Sequence, residues 1–207
     1  MIFYTADLHL GSEEVLKKSE RPFSSVREMD EAIIAGWNDA VSETDTVYLA
    51  GDIGDHDLPV PEEALRRLRG HKHLIRGNHD TCIEDQALLL EYFESVTDLL
   101  EIDDGAAHIT LCHYPLLYFQ SGYMIHGHVH NAKGRAYQLL TQLPRDLNAG
   151  VDVNGFRPVT LAQLLENNQR FYAGADAPRA DAPRAPKWKA RFYPLPQQGQ
   201  PGTAEER

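Results

Sequence analysis

Met1-Ile2-Phe3-Tyr4-Thr5-Ala6-Asp7-Leu8-His9 opens the chain with apolar, aromatic and β-branched residues and ends on two groups that can bind a cation. A buried strand that delivers polar side chains at its end suits an α/β site, where loops at the carboxyl ends of strands converge. The same pattern recurs downstream. Thr46 to Ala50 predicts a second strand ending at Gly51-Asp52, and His73 to Arg76 a third ending at Gly77-Asn78-His79-Asp80. Between them runs a helical stripe of Val26, Met29, Ile33, Trp37 and Ala40, opened by a capping box of Ser25 with Glu28. A second helix starts at Pro61-Glu62-Glu63 and closes at Arg66, Arg67, Arg69 and Gly70, and a third is expected between Glu84 and Phe93.

Further on, strands change character. Ser95 to Ile102 and Ala107 to Cys112 read as two strands around Asp103-Asp104-Gly105, a hairpin rather than a crossover. Tyr123 to Ile125 predicts another strand before His126-Gly127-His128-Val129-His130, and Leu161 to Asn168 a last helix with Leu161, Leu164 and Leu165 inward. Mixed strand pairing with helices outside implies an α/β sandwich. Beyond about Tyr172 the composition turns to Pro and Ala, dividing the chain into a domain over 1–172 and a flexible tail over 173–207.

The chain has 207 residues, 42% hydrophobic and 25% charged, which fits a globular protein and excludes a collagenous, coiled-coil or wholly disordered one. Twenty basic against 31 acidic side chains give a net charge of −11, which repels a nucleic-acid backbone on average. Cys82 and Cys112 are too few for a disulfide framework, no apolar run is long enough to cross a membrane, and no signal peptide opens the chain. A cytoplasmic location is therefore expected.

Seven oxygen or nitrogen donors stand at or just past predicted strand ends: Asp7, His9, Asp52, Asn78, His113, His128 and His130. Asp7 and His9, two apart, are expected to point to one side of extended chain and to reach the same ion. With no thiolate, the set over-supplies one tetrahedral zinc; two divalent ions sharing a carboxylate, about 3.5–4 Å apart, would use all seven. Such a centre lowers the pKa of bound water from about 15.7 toward about 7 and supplies a bridging hydroxide as nucleophile. The expected reaction is hydrolysis of a phosphoester.

In this order, Asp-x-His, Gly-Asp, Gly-Asn-His-Asp, a lone His and Gly-His-x-His, the motifs resemble those of the calcineurin-like metallophosphoesterases over roughly residues 1 to 165. The resemblance implies a four-layer α/β/β/α sandwich of two mixed β-sheets flanked by helices. It implies Asp7, His9, Asp52 and His130 around one ion and Asp52, Asn78, His113 and His128 around the other, with Asp52 bridging. It further implies His79 at the phosphoryl oxygens or the leaving group, with Asp80 orienting its ring. Many small members continue Asp-x-His with Gly-His, where this chain has Gly11-Ser12, and Asp55 has no assigned role.

The two ions are expected to be manganese, with iron, nickel or zinc as alternatives. The substrate is expected to be a small phosphomonoester or phosphodiester. Two other readings compete: a nuclease guided by the basic and aromatic stretch Lys187 to Tyr193, which the acidic domain disfavours, and a non-catalytic scaffold, disfavoured by the full donor set. Outside the pattern, His126 is read as a surface or satisfied core residue, Arg21 as a solvated arginine rather than a phosphate clamp, and Arg76 as an ion-pair partner.

Overall fold

The computed structural model describes residues 1–55, 62–80 and 91–173. Pro61, Cys82, the stretch Lys187 to Tyr193 and most of the helix expected between Glu84 and Phe93 lie outside them. Four parallel strands form the first sheet in the order β1 (Ile2–Thr5), β2 (Thr46–Leu49), β3 (His71–Ile75), β4 (Ser95–Thr97). The second sheet runs β5 (Leu99–Asp104), β6 (Ala107–Cys112), β7 (Tyr123–His126), β8 (Asp146–Asn148). There β5 and β6 form the expected antiparallel hairpin, while β6, β7 and β8 are parallel. The first sheet gains an antiparallel contact where Val159 bridges Tyr4 at its β1 edge.

Helices α1 (Glu13–Lys18), α2 (Val26–Ala40), α3 (Glu62–Arg67), α4 (Arg135–Leu140) and α5 (Leu161–Tyr172) flank the sheets, which gives the α/β/β/α sandwich. Period-2 alternation assigns strand side chains to two cores. Phe3, Val47, Leu49 and Leu74 face outward against Met29, Ile33 and Trp37 of α2 and Leu65 of α3. Tyr4 and Ile75 face inward and meet Ile109, Leu111, Ile125 and Leu147 of the second sheet. Helix α5 puts Leu164 into that inner core, so it closes the seam between β1 and β8. Trp37 is fully buried and its Nε1–H donates to the Arg69 carbonyl at 2.9 Å, joining α2 to the end of α3.

Two local expectations need correction. The strand expected over Ser95 to Ile102 is two strands in different sheets, broken at Asp98, whose carboxylate pairs with Arg76 Nε at 2.9 Å. A continuous β pattern carries no mark of a change of sheet. At the start of α2, Ser25 accepts from Glu28 N–H as expected, but the Glu28 carboxylate accepts from Ser24 N–H at 2.8 Å rather than from Ser25, so the box is half made. The full capping box belongs to α5, through Thr160 and Gln163. Among the described residues, no helix is long and apolar enough to cross a membrane.

Candidate metal centre

The seven predicted donors lie at or past the carboxyl ends of β1, β2, β3, β6 and β7. Parallel pairing within β1–β3 and within β6–β7 turns the strand ends of each sheet one way, and contacts between the sheets bring the two sets together. His128 N–H donates to Asp7 Oδ1 at 2.9 Å, and His113 Nδ1–H donates to the Ala50 carbonyl at 2.8 Å.

Asp7 and His9 do not share extended backbone. Their φ angles are 58° and 50°, and Asp52, His128 and His130 are also left-handed at 58°, 71° and 49°. Such backbone is costly for residues other than glycine and persists where the surroundings over-determine it. Here Asp7 N–H donates to Gly51 O at 2.9 Å, His9 N–H to Asp52 O at 3.0 Å and Leu10 N–H to Ile53 O at 2.9 Å. From the other side, Arg21 Nη2 and Nη1 donate to the carbonyls of Asp7 and Leu8 at 2.7 and 2.8 Å. Glycine permits the closest approach, since a Cβ on Gly77 would collide with Asp52 Oδ1 and one on Gly51 with His113 Nδ1.

The donors form two groups. Asp7, His9 and His130 each bring one ligand atom within 4.8 Å of the others, and so do Asp52, His113 and His128. Asp52 Oδ2 lies between the groups, 3.5 Å from His9 Nε2 and 3.3 Å from His113 Nε2. Asn78 Oδ1 joins the second group, 3.0 Å from His113 Nε2 and 2.9 Å from His128 Nδ1. Except for His128, the ring nitrogen turned away from the centre is fixed by a neighbour. His9 Nδ1–H donates to Gly54 O at 3.1 Å, His113 Nδ1–H to Ala50 O, and His130 Nδ1–H to Asp152 Oδ2 at 2.9 Å. An acceptor on one ring nitrogen leaves the other as a lone pair, which is how proteins orient metal-binding histidines.

The electrostatics suit a cation. Asp7 Oδ2 and His9 Nε2 are buried with no hydrogen-bond partner, so acceptors face acceptors, which is unfavourable without positive charge between them. Burial pushes the Asp7 carboxyl up to about 6 and pulls the His9 imidazole down to about 3, keeping its lone pair free. At His113 burial also disfavours charge, but the Asp52 carboxylate overcomes it and holds the ring's pKa above the ordinary histidine value. The residues therefore fit two cations: the donors are oxygen and imidazole nitrogen, grouped in two sets about a shared carboxylate.

Around the donors the structure departs from several expectations. Arg21 is buried rather than solvated: it forms a bidentate pair with Asp152, at 2.8 and 3.1 Å, besides its bonds to the main chain. Asp80 does not orient the His79 ring. Its carboxylate accepts from the backbone N–H of Gly77, Asp52 and Ile53 at 2.7 to 2.9 Å, tying two ligand loops together. Asp55 takes the ring instead, with Oδ1 2.9 Å from His79 Nδ1, while its Oδ2 accepts from Ser12 Oγ at 2.7 Å. Ser12 also caps α1. His126 is fully buried but not satisfied: Nδ1–H donates to Gly127 O at 2.8 Å and Nε2 has no hydrogen-bond partner.

Sequence reasoning missed Asp152, which sits between Arg21 and His130. Its signal was a Gly150-x-Asp152 pair past a strand end, hidden because β8, Asp146-Leu147-Asn148, has two residues that disfavour strands.

The family model described as calcineurin-like phosphoesterase matches residues 1–168. An uncharacterized protein, MJ1445, of Methanocaldococcus jannaschii is 30% identical over 167 residues, covering 80% of this chain and 89% of that one. The gene 66 protein of Mycobacterium phage L5 is 32% identical over 81 residues, 38% of this chain and 39% of its own. Among solved structures, the protein of unknown function AQ665 from Aquifex aeolicus is 27% identical with a TM-score of 0.62, covering 77% of this chain and 94% of that one.

Proposed function

The chain belongs to the calcineurin-like phosphoesterase family, and on that premise we propose that it hydrolyses small phosphomonoesters or phosphodiesters at a centre of two divalent cations. Asp7, His9, Asp52 and His130 would hold one cation, and Asp52, Asn78, His113 and His128 the other. The observation that carries this reading is the position of Asp52 Oδ2, 3.5 and 3.3 Å from ring nitrogens of the two groups. Bound cations supply Lewis acidity, activate water, and give an acidic protein a local attraction for phosphate.

The chain's own residues do the rest. Arg21, Asp80 and the left-handed backbone hold the donors in place before any ligand arrives. The His79 ring stands 4.9 Å from that of His9, and its backbone N–H donates to Asp52 Oδ1 at 2.8 Å. With Nδ1–H given to Asp55, Nε2 is the atom that passes a proton to the departing oxygen. Manganese is the ion we favour, because carboxylate and amide oxygens stand beside imidazole with no thiolate; iron, nickel and zinc suit the same donors.

Elemental analysis of the purified protein, with turnover of mono- and bis-nitrophenyl phosphate, tests the reading. About two metal equivalents per chain and metal-dependent hydrolysis are expected. Undiminished turnover after chelation would refute it.

A further inference from the structure

His113 and β7 are joined by the loop Tyr114-Pro115-Leu116-Leu117-Tyr118-Phe119-Gln120-Ser121-Gly122. Its first residue is built against the centre. The Tyr114 ring meets His128 edge to face at 4.6 Å between centroids and meets His113 in the same way at 5.1 Å. These are the two imidazoles of the second donor group, and His128 is the exposed one. Tyr114 itself is 47% exposed, so it offers ring surface to solvent beside the open side of the centre.

The rest of the loop keeps that surface in place. Its far end is anchored where Ser121 Oγ meets Thr110 Oγ1 at 2.6 Å and Arg145 Nη1 donates to Ser121 O at 3.1 Å. The Arg145 guanidinium also lies over the Phe119 ring, 4.9 Å from its centroid. Between these anchors Leu117 and Tyr118 are 88% and 78% exposed. Single exposed apolar residues are ordinary. Here they follow an aromatic ring packed on two candidate ligands, on a loop held at both ends.

We infer that this loop is the leaving-group wall of the site, and that Tyr114 selects phosphoesters carrying an aromatic ring close to phosphorus. The inference rests on the phosphoesterase reading above. A phosphoryl group held at the second donor group lies beside His128, and a planar substituent on it falls within stacking reach of the neighbouring tyrosine. An aliphatic substituent gains less from that contact. A phosphate shared between the two cases would be held alike by the donors, so the discrimination belongs to the loop.

Calorimetric binding of phenylphosphonate and methylphosphonate to the metal-loaded full chain tests this without turnover. The unaltered protein is expected to prefer the phenyl compound, Tyr114→Ala to lose about 3- to 10-fold of that preference, and Tyr114→Phe to keep it. Equal weakening of both ligands in Tyr114→Ala, or no preference in the unaltered protein, overturns the inference. Should Tyr114→Ala lose metal by elemental analysis, the double variant Leu117→Ser/Tyr118→Ser reads the same wall farther from the ligands. A lowered phenyl preference supports the inference, and an unchanged one, with or without a change in oligomeric state, overturns it. A phenyl preference in a protein that hydrolyses no phosphoester would leave the loop's selectivity standing and remove the hydrolase reading.

Discussion

The two donor groups use similar chemistry in different surroundings. Asp7 and His9 are buried, and the group they form with His130 is backed by Arg21 and Asp152. Asp52 and His113 are equally buried, but their partner His128 is exposed and Asn78 and Tyr114 are only partly covered. One half is closed by a charged hydrogen-bond network; the other opens onto the Tyr114 loop. On the proposed reading the first half would hold its cation and the second would meet substrate, because a buried ligand set is preorganised while an exposed one can admit a phosphoryl oxygen.

The largest effect should come from joining the halves less well. Asp52→Asn keeps the shape and removes the charge that faces His9 and His113. Metal content should fall in both halves together, with turnover lower by on the order of 10³-fold, as loss of several kcal/mol of charge stabilisation implies. Elemental analysis beside steady-state kinetics checks it. Loss of one equivalent only would show that Asp52 serves a single half.

Next, Asp152→Asn tests the closed half alone. It weakens the acceptor for His130 Nδ1–H and removes the negative charge paired with the buried Arg21. Changes in such outer partners cost about 10- to 100-fold in metal affinity. Metal titration should show one weakened site and one unaltered site. Equal weakening of both would break the contrast between the halves.

How much of this was legible in the sequence follows from where each residue acts. The seven donors end strands, so a local pattern of apolar run and polar stop exposes them. Arg21 and Asp152 meet across 131 positions, and Ser12 and Asp55 across 43, so no window contains either pair. Arg21 reads as a loop cation until the carbonyls of Asp7 and Leu8 are seen to point at it. An α/β sandwich was legible from the β-α alternation followed by a hairpin, and its division into two sheets only from the resemblance; the switch between them at Asp98 was not legible, because β4 and β5 are interrupted by one residue.

A smaller effect is expected at His79, whose ring packs against His9 and whose backbone N–H holds Asp52. Asp55→Asn leaves an acceptor for His79 Nδ1–H but replaces the carboxylate that positions the ring with a weaker acceptor. Turnover of an alkyl phosphate should fall about tenfold and that of a nitrophenyl ester much less, since a good leaving group needs little protonation. Equal losses for both would show that Asp55 acts on folding or on the loop through Ser12 rather than on the proton.

The smallest effect sharpens the comparison from outside the centre. Asp146 on β8 is a second buried carboxyl with an unpartnered oxygen, Oδ1, yet it belongs to neither donor group. Burial pushes it up to about 7, against the pull of Arg145. A carboxyl whose folded pKa lies above its unfolded value of 3.8 contributes its full stability below that value and loses it as pH rises through about 7. At pH near 8 the native chain therefore buries a charge that the unfolded chain leaves in water. Asp146→Asn keeps the shape without the charge, so it should stabilise the protein by about 1 kcal/mol near pH 8 and change little near pH 4. Denaturant unfolding at the two pH values reads the difference, with and without added manganese. Added metal should leave this pH dependence unchanged, since Asp146 belongs to neither donor group; if metal abolished it, the carboxyl would have to be coupled to the centre through β8 and Asn148.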